Sequence, residues 1–286
     1  MKFFLVFFFA FSTWFVSSQT NLSGLWQGVL MKDGAKELEY TVFFLQLDVQ
    51  GNNVTGKTRE EFYKTDFYTI QRVKGSAESN QLKLQQLTVE KKKVSSKLSV
   101  CSMDFQLAYI DSTGYLTGKY VSNTCRGNTG KIVLYRSKAR FQEADTVTIG
   151  HYWRDRFLTD LKKGRKAPEI QELERKNFQF QPIYFDYDQA EIKPEYYAFL
   201  SKMARVVSGH SDLRIRITGH TDADGSDAYN DDLSAKRAKA IQDYFLKCGL
   251  ESFKVVIDFK GEKLPVGSNQ TPEGKQQNRR VDFEFI

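Results

Sequence analysis

The chain has little cysteine, histidine or proline: three, three and five among 286 residues. Cys101, Cys125 and Cys248 show no CxxC spacing and the histidines are scattered, so no zinc ligand set is expected. Long apolar runs are also missing after residue 16, and no later segment is apolar enough to span a bilayer as a helix. Charge of one sign is not dominant: 42 Lys and Arg stand against 35 Asp and Glu, for a net of +7. No stretch interleaves basic residues with stacking aromatics, so nucleic acid is not an expected partner. The nucleophile pattern Gly-x-Ser-x-Gly is absent, and the acids of 224–232 do not follow calcium-loop spacing, with Gly225 at the wrong offset and no Glu at the twelfth position.

What is present begins with Met1-Lys2, an apolar run from Phe3 to Val16, and Ser17-Ser18-Gln19. One positive charge, a short apolar core and small residues make a secretory signal over 1–18, cleaved near Ser18. No cysteine lies near that point, so no lipid is expected on a new N-terminus. Losing Lys2 with the leader takes the net charge from +7 to +6, which suits an acidic polymer or a membrane surface without identifying either. Export permits a disulfide, and Cys101 and Cys125 lie on strand-rich segments that can be neighbours. Cys248 reads as a small buried apolar side chain at a helix end.

Residues 20–138 read as antiparallel β-structure, a small barrel or sandwich. Strand, turn and strand recur around Gly51-Asn52-Asn53, Ser79-Asn80 and Ser112-Thr113-Gly114, with a last strand at Lys131–Tyr135. The opening Gly24-Leu25-Trp26-Gln27-Gly28 is similar to the Gly-x-Trp-x-Gly first strand of lipocalin-like barrels. Short polar strands and the run Glu90-Lys91-Lys92-Lys93 argue against a membrane barrel, whose strands alternate over ~9–11 residues. Residues 139–177 form a connector. Trp153, Phe157 and Leu161 share a helix face there, and the basic cluster Lys162–Lys166 breaks that helix before Pro168.

Residues 178–286 alternate strand and helix in the order βαβαββ, a mixed α/β sheet with helices on one face. Strands are expected at Phe180–Phe185, Leu213–Thr218, Val255–Phe259 and Val281–Ile286. Helices are expected from Pro194 to about Val207 and from Ser226 to Lys247. Lys260–Gln277 reads as a loop. Asp222 falls in a turn between strand and helix, and Asn230, Leu233, Ser234 and Arg237 share one helix face. An Arg on such a face is rarely buried without a partner.

Three stretches stand together: Ile183-Tyr184-Phe185-Asp186-Tyr187-Asp188; Gly219-His220-Thr221-Asp222 leading to Asn230, Ser234 and Arg237; and Asn278-Arg279-Arg280-Val281. In this order and spacing, residues 178–286 resemble the OmpA-like, peptidoglycan-associated family. The resemblance implies a non-enzymatic, periplasmic envelope protein that holds the diaminopimelate of the peptidoglycan stem, needs no cofactor or metal, and anchors an N-terminal β domain. Asp222 and Arg237 then clamp the ammonium and the carboxylate of diaminopimelate. Thr221, Asn230 and Phe185 lie near the pocket, and Asn278 and Arg279 match family positions beside it. One of Arg279 and Arg280 packs against the site or pairs with an acid, and the other is solvated. Two other classes fit parts of the same pattern. One is a hydrolase using His220 as base near Asp222 and Ser234. The other is an OmpA-like scaffold for outer-membrane or periplasmic envelope proteins, with the aromatic-rich β domain binding a lipid or glycan.

Overall fold

The computed structural model describes residues 21–96, 98–144 and 151–286; the signal assigned to 1–18 lies outside them. Two compact units are formed, one mainly of residues up to His151 and one mainly of Tyr152–Ile286.

The first unit is a closed eight-stranded antiparallel barrel, which decides between barrel and sandwich. Its strands are β1 (Gly24–Lys32), β2 (Thr41–Gln50), β3 (Asn53–Glu61), β4 (Tyr68–Glu78), β5 (Gln81–Lys93), β6 (Met103–Ile110), β7 (Tyr115–Ser122) and β8 (Thr129–Arg136). β1 closes the ring against β8, with Gly28 opposite Leu134. The tight turns after β2 and β4 use left-handed backbone at Gly51 (φ 59°) and Ser79 (φ 53°). Alternation puts Trp26, Phe43, Leu45, Leu84, Phe105, Leu116 and Leu134 in one buried interior cluster. The outward positions carry Lys74, Lys83, Gln85, Gln106 and Lys131, the reverse of the apolar-out pattern of a lipid-facing barrel. Trp26 is fully buried, donates from Nε1 to the Leu22 carbonyl at 3.0 Å, and lies 4.5 Å under the Arg136 guanidinium. Gly28 is needed beside it, because a Cβ there would sit 2.0 Å from the Val133 carbonyl oxygen. Cys101 and Cys125 are joined in a disulfide with Cα atoms 5.6 Å apart.

The second unit opens with α1 (Tyr152–Lys162), which buries Phe157 and Leu158, and α2 (Pro168–Asn177). The expected connector thus holds a second helix, started by Pro168 at its first position, where the missing N–H costs nothing. A four-stranded sheet follows, built from β9 (Ile183–Tyr184), β10 (Ile215–Gly219), β11 (Val255–Phe259) and β12 (Arg280–Phe285) in the order β11-β10-β12-β9. β10 and β11 are parallel and the other pairs antiparallel, so the sheet is mixed. Helices α3 (Tyr197–Gly209) and α4 (Asp227–Lys247) share one buried cluster with Ile215, Ile217, Val281 and Phe283.

Three local expectations are corrected. The first strand keeps only Ile183–Tyr184; Pro182 has no N–H for the ladder, and Phe180 instead joins Phe178 and Phe285 in an aromatic cluster, 4.7 Å from Phe285. The segment Lys260–Gln277 is not all loop, because α5 (Pro272–Asn278) forms at its end, capped by Thr271 Oγ1 accepting from Gly274 N at 3.2 Å. Seven residues are too few for a helical period to show in sequence. Cys248 is exposed. The buried stripe of α4 ends at Phe245, and Cys248 is its C-cap residue, past the sheet.

Candidate functional site

The site lies where β10 ends and α4 begins. Gly219 lets the helix sit on the strand end, since a Cβ there would lie 2.0 Å from the Ser234 carbonyl oxygen. Ser226 caps α4 by accepting from Tyr229 N. One α4 face is buried and carries Asn230, Ser234, Arg237, Ala238 and Ile241.

Asp222 is buried, and its Oδ2 accepts from Arg279 Nη1 at 2.7 Å. Arg279 Nε also reaches the Phe185 carbonyl at 3.4 Å, and its other terminal nitrogen bonds Gln276. Arg237 is fully buried beneath this pair. It donates from Nε to Gln189 O (2.8 Å), from Nη1 to His220 O (2.8 Å) and from Nη2 to Asp186 O (3.2 Å), and stands 5.3 Å from the centre of the Phe185 ring. A guanidinium has five N–H groups, so one remains on each terminal nitrogen, the fork that suits a carboxylate. Burial pushes the Arg237 guanidinium down to about 10; Asp222 works against that fall and Arg279 adds to it. It stays a cation at neutral pH, and the three charges sum to +1.

Thr221 and Asn230 are buried at the same strand end and helix start. Thr221 N donates to Gly261 O at 2.9 Å, and Asn230 Nδ2 donates to Glu262. Thr221 Oγ1 and Asn230 Oδ1 are buried and have no hydrogen-bond partner among the described residues. Buried polar atoms are usually satisfied, so such a pair beside a charged cluster marks a place where a polar ligand group fits.

The structure brings Asp222, Arg237, Arg279, Thr221, Asn230 and Phe185 together. Asn278 has a different task. Its Oδ1 accepts from Val266 N (2.8 Å) and Gly267 N (2.9 Å), while Nδ2 donates to Gly267 O and Asn269 Oδ1. That amide is committed to holding the loop before α5. The two arginines differ in setting: Arg280, the first residue of β12, bonds Asp282 at 2.9 Å and is buried, not solvated, while Arg279, the C-cap of α5, bonds Asp222. His220 Nε2 faces Asp282 at 3.3 Å, its Nδ1 has no partner among the described residues, and Ser234 Oγ donates to the Asp231 carbonyl. Although burial raises it, the Asp282 carboxyl is held below its usual range by His220 and Arg280. Three of the acids around the helix start are paired, Asp224 with Lys275, Asp231 with Lys263 and Asp232 with Lys236. Sequence reasoning missed Glu262 and Asn269, which approach from a loop without a periodic signal. It also missed Gln276, hidden in the short α5.

The same residues carry a family match: 184–279 fit the model of the OmpA family. The C-terminal unit holds an OmpA family domain. Over 103 residues it is 34% identical to "Outer membrane protein A" of Bordetella avium, covering 36% of this chain and 53% of that protein. Over 102 residues it is 39% identical to "Peptidoglycan-binding protein ArfA" of Mycobacterium bovis, covering 36% and 31%. It is 35% identical over 102 residues to the "Peptidoglycan-associated lipoprotein" of Pseudomonas aeruginosa, covering 36% and 60%. The chain therefore spans less than two thirds of each of these relatives. The crystal structure of the peptidoglycan-associated lipoprotein from Burkholderia pseudomallei is 29% identical, with 37% of this chain and 90% of that one covered and a TM-score of 0.36. The OmpA match stops short of the barrel.

Proposed function

We propose that this chain is an exported, non-enzymatic envelope protein whose OmpA domain binds peptidoglycan non-covalently through stem diaminopimelate, so that the barrel is held at the wall. The observation that carries this reading is the buried Asp222–Arg279 pair over Arg237, with the unpaired Thr221 Oγ1 and Asn230 Oδ1 beside it. The side chain of diaminopimelate ends in an ammonium and a carboxylate on one carbon. Asp222 takes the ammonium, and the free N–H groups of Arg237 take the carboxylate in a planar fork. The α4 N-terminus adds positive potential, and the net charge of +1 favours an incoming anion. Arg279 is released from Asp222 in part as the ammonium arrives, which costs binding energy and keeps the affinity for one stem modest. The names of the relatives in Mycobacterium bovis and Pseudomonas aeruginosa, a peptidoglycan-binding protein and a peptidoglycan-associated lipoprotein, support the same reading.

The test is co-sedimentation of mature protein with purified sacculi, in competition with free stem peptides. Displacement by a diaminopimelate stem, and not by a lysine stem, is the expected result. Failure of folded protein to sediment removes the wall-anchor reading and leaves the OmpA domain as a scaffold for envelope proteins.

A further inference from the structure

The basic stretch Lys162–Lys166 becomes the turn between α1 and α2, with Gly164 left-handed at φ 65°. This turn borders a groove of about 930 Å³ that runs between α2 and α3. Lys163, Lys202 and Arg205 line it, are exposed, and make no ion pair among the described residues. The acid on the same wall, Glu174, is taken by Lys166. Between these cations lies apolar surface: Ile170, Val206, Phe178 and Leu173, the last 48% exposed.

A second, polar cleft of about 200 Å³ shares Lys163 and Arg165 with the groove and is walled by Lys254. Lys254 is 2% exposed, and its ammonium donates to the carbonyls of Val207 (3.1 Å), His210 and Leu213 (3.2 Å). No carboxylate forms an ion pair with it among the described residues. Burial pushes its ammonium below the usual range and Arg165 and Lys163 push it further, while Glu251 and Asp212 work against them. Arg165 is held by Asp160 at 2.7 Å and Glu251 lines the polar cleft, so the cations along the apolar trough without an ion pair among the described residues are Lys163, Lys202 and Arg205. A bare anion there leaves Leu173 in water, and a bare hydrocarbon leaves the cations unmatched. An amphiphile with an anionic head satisfies both.

We propose that this groove binds one phospholipid of net negative charge, its head at Lys163 and its acyl chain over Leu173 and Val206. The site is separate from the Asp222 pocket and does not depend on the wall-binding reading.

Cys248 lines the same groove and is the free, exposed thiol, so its alkylation rate on the mature full chain reports occupancy. The probes are short-chain phosphatidylglycerol below its micellar concentration, phosphatidylcholine of equal chain length, and inorganic phosphate. Phosphatidylglycerol should slow alkylation in a saturable way, and the other two should not at equal concentration. Lys163→Glu and Leu173→Gln, both surface changes, should each raise the half-saturating lipid concentration about tenfold. Stem-peptide titrations of the two variants should match wild type. The proposal is overturned if folded protein shows no protection, if phosphatidylcholine protects equally, or if phosphate protects equally and Leu173→Gln changes nothing.

Discussion

Asp222→Asn removes the negative charge from a buried trio and takes its sum from +1 to +2. Asp222 and Arg279 side chains are 6% and 11% exposed, so the near-zero value of a surface pair does not apply. Removing one member of a buried pair costs about 3–5 kcal/mol. Arg279 keeps its bonds to Phe185 and Gln276, and an Asn oxygen still accepts, so the lower end applies, about 3 kcal/mol. For a domain of roughly 100 residues each kcal/mol moves the midpoint by about 4–8 °C, which gives a fall of about 12–24 °C. Arg279→Gln is the control. It leaves Asp222 beside Arg237 and the pocket near neutral, at a cost of about 1–2 kcal/mol. Calorimetry of the mature chain gives the midpoints, and amide exchange along α4 assigns the transition to the OmpA domain. A loss below about 1 kcal/mol for Asp222→Asn, or one no larger than for Arg279→Gln, refutes the argument that one carboxylate holds two buried arginines together.

Other outcomes follow from single residues. Glu60 lies opposite Phe43 in the barrel ladder and so faces the lumen, where Thr41 Oγ1 donates to it at 3.0 Å. Burial raises its carboxyl from 4.5 to about 7. The folded state therefore holds the proton more tightly, and barrel stability should fall as pH rises from about 4.5 to 7, by about 1–3 kcal/mol. Glu60→Gln should flatten that slope in urea melts taken at pH 5 and pH 7.5 (roughly two ends of the titration). Replacing Cys101 and Cys125 by Ser opens a loop with a sequence separation of 24 and should cost the barrel about 3 kcal/mol in the same melts, leaving the OmpA transition in place. Asn278→Ala removes four hydrogen bonds from a buried amide. It should speed amide exchange at Val266 and Gly267 by tenfold or more, about 1.4 kcal/mol of local stability, while α4 stays protected.

The barrel was legible because short alternating strands and turn residues such as Gly51-Asn52 repeat along residues 20–138. The choice between barrel and sandwich was not, because closure depends on β1 meeting β8, a pairing over about a hundred residues with no local signal. Asp222 and Arg237 were legible through their setting, a turn after a strand and one face of a long helix. Their relation was not. Arg237 spends three N–H groups on backbone carbonyls, and the partner that touches Asp222 is Arg279. The Asn278-Arg279-Arg280 run shows no division of labour in sequence, yet the passage from α5 into β12 gives Asn278 to the loop, Arg279 to Asp222 and Arg280 to Asp282. The second connector helix begins at Pro168, directly after the basic break that ends the first, and α5 has too few residues for a helical period to show.

The most direct measurement is calorimetric titration of the mature chain with a diaminopimelate stem peptide and a lysine stem peptide, on wild type and Arg237→Lys. Wild type should prefer the diaminopimelate stem by tenfold or more, and Arg237→Lys, which lacks the planar fork, should lose that preference while remaining folded. Equal binding of both stems by wild type, or an unchanged preference in Arg237→Lys, would contradict the zwitterion clamp.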